Sequence, residues 1–420
     1  MTVASKAGAA GQAGAGTPTA EEILERARAL VPVLRERAAA TEAGRMLPAE
    51  TMADLFHTGL MRLLTPAAYG GYEMGWPMHA QAARVLATAC ASTAWIVSVV
   101  GAHSVMAGRM PKECQDEIWA DGPDVLIATG SARTTGHIEK ADGGYRVSGT
   151  WRFASGVDHS KWVIITGPVG SDDGPRAGTA FAANMVRAAI PTSDIKIVDT
   201  WFVSGMRGTG SKDVNCPDLF VPGHRVTGAA DSFGASPPGA AAHSGYLYQA
   251  PFIPYFGGSM LGPLLGAAEG AYGDYIESTR VRKSALFRNA VAEQAPVQER
   301  LAESSAELKA ARLMRKYNDD LLHERGLALQ SLSAEEKLEN GRDRAYVTRL
   351  CLQSVTRLVR QMGAIGISDE NTVQRHFRDI SAMATQIGVN WDRHMEPYGC
   401  WMLGVPTGDA RIDAERELPS

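Results

Sequence analysis

His137-Ile138-Glu139, Asp142-Gly143-Gly144 and Tyr145-Arg146-Val147 form the passage on which the fold turns. Alternating residues run into a glycine-containing turn and out again, the pattern of a β-hairpin. Helical spacing ends just upstream, near Asp121-Gly122-Pro123. Downstream, Trp162-Val163-Ile164-Ile165-Thr166, Ile195-Lys196-Ile197-Val198 and Leu219-Phe220-Val221 read as further short strands between turn signals. Residues 124–228 are therefore expected to form a small β domain.

Both flanks of this domain read as helical. Toward the N-terminus, Thr19 with Glu22 three residues on makes a capping box, and Ile23, Leu24, Ala27, Leu30, Val31 and Leu34 follow at helical spacing. Leu47-Pro48 and Pro77 mark further helix starts, with a loop over Pro66–Gly75. Ala82–Met106 is apolar nearly all round and belongs inside the protein. This gives an N-terminal helical domain over 19–123, preceded by a Gly/Ala-rich tail, 1–18, with too little to bury to order itself. Toward the C-terminus, Gly, Ala, Ser and Pro over 229–245 predict a linker or mobile loop. Val297, Leu301, Ser304, Leu308 and Ala311, then Ala345, Thr348, Leu352, Val355, Val359 and Met362, step by three and four. They predict a four-helix bundle over 246–412 and assembly through it as a homotetramer, with 413–420 a tail. The chain is thus mainly α with a central β domain, and runs of helix, strand and helix exclude an alternating βαβ sheet.

Composition narrows the function. In 420 residues, 42 Lys+Arg stand against 46 Asp+Glu, so no electrostatic case exists for nucleic acid. The five cysteines (Cys90, Cys114, Cys216, Cys351, Cys400) are scattered and free of C-x-x-C, which argues against disulfides or zinc and for a reducing, cytoplasmic location. No apolar run reaches about 18 residues, and no signal peptide order is present, so no membrane role is expected. G-x-S-x-G, H-E-x-x-H, Walker A and G-x-G-x-x-G motifs are absent, and the ten histidines show no metal-ligand spacing.

Three segments go further. They are Gly149-Thr150-Trp151-Arg152-Phe153-Ala154-Ser155-Gly156, then Trp201-Phe202-Val203-Ser204-Gly205-Met206-Arg207-Gly208-Thr209-Gly210-Ser211, then Gln374-Arg375-His376-Phe377-Arg378-Asp379. With Leu64-Thr65-Pro66 to Tyr69-Gly70-Gly71, they resemble the acyl-CoA dehydrogenase fold, and within it the oxygenase component of two-component flavin-dependent monooxygenases. The resemblance implies a β-barrel-like middle domain and a separate flavin reductase that supplies reduced FMN or FAD. It implies O2 as co-substrate, a C4a-hydroperoxyflavin, and hydroxylation of a small aromatic or polycyclic substrate. The missing nicotinamide fingerprint agrees with reduction by a partner.

The resemblance also assigns residues. Ser155 would hold flavin N5–H, with Phe153 against the ring system and Thr129, Gly130 and Ser131 on the loop across its edge. His103 would face the substrate as a neutral base, with Trp201 and Met206 nearby. Arg280 and Arg282 would reach a flavin phosphate across a subunit interface, and Gly363 and Arg378 would close the flavin site. Many members of the family carry a histidine eight residues after the Arg of the R-D pair. Here that position is Gln386, which cannot exchange a proton near neutral pH. His394 lies eight residues further on, about 12 Å away along a helix, and His376 is another candidate. Two other readings share the fold. An acyl-CoA dehydrogenase would need a C-terminal Glu base, absent from Tyr398-Gly399-Cys400-Trp401-Met402. A flavin-fold protein that has lost its chemistry is supported only by Gln386.

Overall fold

Thr19 caps the first helix as its sequence demands. Its hydroxyl accepts the Glu22 N–H at 3.2 Å, and the Glu22 carboxylate accepts the Thr19 N–H at 2.6 Å. The computed structural model describes residues 16–170, 184–284 and 288–416. From the cap run α1 (Ala20–Gly44), α2 (Ala49–His57) and α3 (Trp76–Ala87). The apolar stretch expected over 82–106 breaks at residues 88–90. It resumes as α4 (Ala91–Trp95), one π turn (Ile96–Val100) and α5 (Gly101–Gly108) in one unbroken rod. Against the expectation that no apolar run is so long, those 18 residues are apolar enough to cross a membrane by length and composition, but they lie inside the protein, with Trp95 alone partly exposed. A short α6 (Lys112–Ile118) leads into the strands.

Among the described residues eight strands follow: β1 (Ile127–Gly130), β2 (Ala132–Ala141), β3 (Gly144–Ala154), β4 (Trp162–Pro168), β5 (Met185–Pro191), β6 (Lys196–Val198), β7 (Lys212–Pro222) and β8 (Val226–Gly228). The expected hairpin is β2 and β3, with Ile138 opposite Val147 and the turn at Asp142-Gly143. The strands form two four-stranded sheets, ordered β1-β4-β5-β8 and β2-β3-β7-β6. Ala128, Val163, Ile165 and Ala188 of the first pack against Ile138, Val147, Trp151 and Val214 of the second. A bridge between Ile138 and Val169 joins the two sheets at one place.

The stretch 229–245, expected as a linker, is tied down instead. It begins with α7 (Ala229–Phe233), and the buried Arg109 reaches it from the end of α5. The Arg109 guanidinium donates to the carbonyls of Ser232 (2.7 Å), Tyr248 (2.8 Å), Ala250 (2.7 Å) and Gly234. One side chain thereby satisfies backbone groups that composition alone would leave to solvent.

Beyond α8 (Tyr246–Gln249) and α9 (Phe252–Ser259), the bundle consists of α10 (Leu261–Val281), α11 (Ala295–Leu327), α12 (Ala334–Met362) and α13 (Thr372–Met383). Val297, Leu308 and Ala311 meet Val355, Val359 and Met362 in its core, as the stripes predicted. On α10, side-chain carbons at Gly262, Gly266 and Gly270 would lie 2.1–2.5 Å from carbonyl oxygens of Ala80, Arg84 and Thr88. Only glycine lets α10 lie so close to α3. α14 (Trp391–Met402) packs on α12, and α15 (Ala410–Arg416) occupies the first half of the expected C-terminal tail. Residues 1–15 of the expected N-terminal tail and 417–420 of the C-terminal one lie outside the described residues.

Candidate active site

The site is built at the end of β3. Trp151 is fully buried, with its indole N–H on the Thr166 carbonyl at 2.9 Å, so it is packing. The register between β3 and β7 shifts between Trp151 and Ala154, and Phe153 takes a positive φ of 65°. That bulge turns Phe153 out of the sheet, leaving it 51% exposed, edge-on to Trp201 at 6.3 Å. A large aromatic held outward at a strained backbone position is a surface waiting for a flat partner. Ser155 follows, nearly buried, and the next residue, Gly156, packs on Ile96 and Val100 of the π turn. Its Oγ lies 2.7 Å from Ser211 Oγ and accepts the Trp95 indole N–H at 3.4 Å.

A second loop, between β6 and β7, closes on this corner and is held by α13. Met206 has a φ of 57°, and its N–H donates to the buried Asp379 carboxylate at 2.6 Å. The Met206 carbonyl accepts from Trp201 Nε1 (3.0 Å) and from the Thr209 hydroxyl (2.9 Å). Thr209 Oγ1 lies in turn 2.7 Å from Ser211 Oγ. A side-chain carbon at Gly205 would fall 2.1 Å from the Arg378 carbonyl oxygen, so loop and helix cross in contact. Arg378 donates to the Ser204 carbonyl at 2.9 Å and pairs with Glu42. Arg378 and Asp379 thus pin the same turn by separate bonds. Burial pushes the Asp379 carboxyl up to about 6, against the Met206 N–H, which pulls it down.

The other wall is about 12 Å along the same rod, since His103 is eight residues beyond Trp95. His103 Nδ1 lies 2.7 Å from the Ile127 carbonyl, which only accepts, so that nitrogen carries the proton. Nε2 then accepts from the Thr129 hydroxyl at 3.2 Å. Burial, with a lesser push from Arg187, lowers His103 to about 4, so the ring is neutral. Gly130 is buried against Trp151, where a side-chain carbon would come within 2.7 Å, and Ser131 is exposed. Arg187 is buried on β5, its guanidinium 3.5 Å from the Phe233 ring centre and bonded to Ser232 Oγ at 2.8 Å. Among the described residues its Nε has no partner, and no carboxylate pairs with it or with Arg109. Burial and the neighbouring Arg109 lower it to about 9.

Ser155, Phe153, Trp201, Met206 and Arg378 are therefore brought to one corner, and His103 and Thr129 to one wall. The Met206 side chain is in the bundle core, and its backbone does the positioning. The other expected residues lie elsewhere in the chain. Arg282 donates to the Met362 carbonyl at 3.3 Å, beside Gly363, and Arg280 is exposed two residues before it. They sit at the far end of α10, on the order of 30 Å from Ser259, whose carbonyl holds Ser98 of the π turn. The Gln386 side chain folds onto the Gly388 N–H of its own loop. α13 ends at Met383, so the helical estimate for His394 does not apply. His394 lies against the carbonyls of Ile387 and Gly388, held neutral at about 4 by burial. His376 faces Asp274 at 3.7 Å, inside the bundle. Trp95, Ser211, Thr209 and Asp379 gave no separate signal in sequence beyond standing in or near the quoted motifs. Among the described residues no cluster of three His, Cys, Asp or Glu is placed to hold a metal.

Residues 17–117 match the acyl-CoA dehydrogenase N-terminal domain and residues 260–391 its C-terminal domain. The chain is 32% identical over 392 residues to the oxygenase subunit HsaA of a flavin-dependent monooxygenase from Rhodococcus jostii, covering 93% of this chain and all of that one. It is 32% identical to the oxygenase component of an FADH2-dependent resorcinol hydroxylase from Rhizobium sp., over 91% of this chain and 94% of that one. XiaF from Streptomyces sp., solved with FADH2 and glycerol, superposes with a TM-score of 0.84 at 25% identity, covering 96% of this chain and 97% of that one. Likeness that runs through helical domain, sheets and bundle alike places the chain in the family of flavin-dependent monooxygenase oxygenase subunits built on the acyl-CoA dehydrogenase domains.

Proposed function

We propose that this chain is the oxygenase component of a two-component flavin-dependent monooxygenase. It takes reduced FMN or FAD from a separate reductase and hydroxylates a small aromatic or polycyclic substrate with O2. The observation that carries the reading is the Ser155 corner. A nearly buried hydroxyl oxygen stands beside two aromatic side chains, one of them turned outward by strained backbone. That set fits a flat ring system with an N–H at its centre. Ser155 would hold flavin N5–H, and Phe153 and Trp201 would flank the rings. Reduced flavin, when bound, supplies the activation of O2. The chain positions it, excludes water and orients the substrate.

His103 serves as a neutral acceptor. Its Nε2 is engaged by Thr129, so a substrate hydroxyl is oriented through the Thr129 oxygen, with the imidazole fixing where the Thr129 proton points. A depressed imidazole is a poor base at neutral pH, and it suits holding a phenol better than ionising it. Arg280, Arg282 and Gly363 lie toward the C-terminal end of α10, away from the end that meets the π turn. They would grip the phosphate of a flavin bound mainly by a neighbouring copy. Val281 (82% exposed), Ile365 (54%) and Ile367 (75%) surround them, an apolar surface suited to a subunit interface. A homotetramer built through the bundle follows. Five free cysteines, four of them buried, suit a cytoplasmic protein.

The test mixes the purified chain, chemically reduced flavin, O2 and a panel of phenols. Hydroxylated product is expected, with no NADH oxidation by the chain alone. Sustained turnover with NADH and flavin but no reductase would sink the reading. Light scattering at micromolar concentration should give about four times 44.8 kDa, and a single-chain mass would refute the assembly.

A further inference from the structure

The directions of the hydrogen bonds around Ser155 are fixed by elimination. A carbonyl oxygen can only accept, so the Thr209 hydroxyl, 2.9 Å from the Met206 carbonyl, spends its one hydrogen there. In the 2.7 Å contact between Thr209 and Ser211, Ser211 must then be the donor. The Ser211 hydrogen is thereby used, so in the 2.7 Å contact between Ser211 and Ser155 the donor is Ser155. The hydrogen of Ser155 points into the protein. Its oxygen presents only lone pairs outward, one of them reached by the Trp95 indole N–H.

We infer that Thr209 and Ser211 are positioning residues that make the Ser155 oxygen a pure acceptor, and that this polarity selects the reduction state of the flavin. The inference rests on the proposed placement of Ser155 at flavin N5. Reduced flavin carries a hydrogen on N5 and matches an acceptor. Oxidised flavin has a lone pair on N5 and meets another lone pair. To donate to oxidised flavin, Ser155 must turn its hydrogen outward. Ser211 and Thr209 must then reverse with it, or two oxygens are left 2.7 Å apart with no hydrogen between them. Reversal of the whole chain leaves the Thr209 oxygen and Met206 carbonyl facing each other unbridged. The anchor of the chain is itself buttressed, because Asp379 holds the Met206 N–H and Trp201 donates to the same carbonyl. A buried hydroxyl chain of this kind is cooperative, and the cost of a wrong donor is felt at its end.

The experiment measures equilibrium binding of oxidised FMN and FAD, and of the photoreduced flavins under anaerobic conditions, to the full chain. The readout is the ratio of the two dissociation constants. Wild type should favour the reduced form. Ser211→Ala frees the Ser155 hydrogen, and the ratio should fall about tenfold, the scale of one hydrogen bond, chiefly through tighter binding of oxidised flavin. Thr209→Val, which keeps the side-chain volume, should lower it in the same sense, and Thr209→Ser should restore the wild-type ratio. A merely structural role would weaken both flavins by the same factor and leave the ratio unmoved, which would overturn the inference. Ser155→Ala separates the two levels. If the ratio moves there and stays fixed in Ser211→Ala and Thr209→Val, the chain of hydroxyls does not set polarity although Ser155 is at N5. If Ser155→Ala leaves the ratio unchanged, the placement of Ser155 fails and the inference falls with it.

Discussion

The Ser155 corner and the His103 wall are both buried and polar, yet they are organised in opposite ways. At the corner every hydroxyl has a partner, and a protonatable acid, Asp379, anchors the assembly by accepting a backbone N–H. At the wall the imidazole is stripped of charge, and a guanidinium, that of Arg187, is buried with one nitrogen unpartnered. Burial drives the acid up to about 6 and the base down to about 4, so both are displaced toward neutrality. A dry site is the common cause. The difference is that the corner satisfies its groups within the chain, while the wall keeps an unspent donor.

The largest effect should separate the two buried arginines. Arg109→Met strands four carbonyls that one guanidinium now satisfies, and should cost about 3–5 kcal/mol by chemical denaturation. Arg187→Met gives up one bond to Ser232 and the cation–π contact with Phe233, and relieves repulsion from Arg109. It should change stability by no more than about 1 kcal/mol. Equal losses in both would erase the distinction between a staple and an unspent donor.

Ser155→Ala removes one hydrogen bond in a dry site, a loss of about 1–3 kcal/mol. The rate of H2O2 release after stopped-flow mixing of the reduced-flavin complex with O2 should then rise roughly 5- to 150-fold, and the peroxide yield with it. Reduced-flavin affinity should fall much less. An unchanged peroxide yield would remove the corner from the chemistry.

Opposite pH slopes should distinguish the two regions. Asp379 is raised from 3.8 to about 6, so the native state binds the proton more tightly than the unfolded chain. Its contribution to stability is present below about pH 4 and is lost as pH rises through 6. His103 is lowered from 6.5 to about 4, so the unfolded chain binds more protons between those values, and its contribution grows as pH rises through that window. Each displacement is on the order of 2–3 kcal/mol. Thermal melting from pH 4 to 7 should therefore show Asp379→Asn gaining on wild type as pH rises. His103→Gln should gain on wild type as pH falls. Parallel curves would mean that neither group titrates where its burial says.

The smallest effect belongs to Gln386. Its side chain caps its own loop at the Gly388 N–H. Gln386→Ala should cost about 0.5–1.5 kcal/mol and leave peroxide yield within about twofold of wild type. A large change in yield would return Gln386 to the reacting centre.

Sequence periodicity carried the helix, sheet and helix order and the bundle stripes on α11 and α12, because spacing along a helix or strand is local and each residue reports its own face. The Thr19–Glu22 cap was legible for the same reason, its partners lying three residues apart. Motif resemblance brought Ser155, Phe153 and Trp201 into view together. The break at residues 88–90, the positive φ of Phe153 and the helical end of 410–416 were not legible, since each is imposed by neighbours from other segments. Composition suggested a loose linker at 229–245 because Gly, Ala, Ser and Pro reveal nothing of Arg109, which holds it from more than 120 positions upstream. The bond from Met206 to Asp379 spans 173 positions. What the chain alone determined was its elements and their inner faces, set by local sterics and hydrophobic spacing. What only the tertiary structure decided was which polar atoms meet, and so which way the hydrogen of Ser155 points, because that direction depends on a carbonyl and two hydroxyls delivered by a different loop.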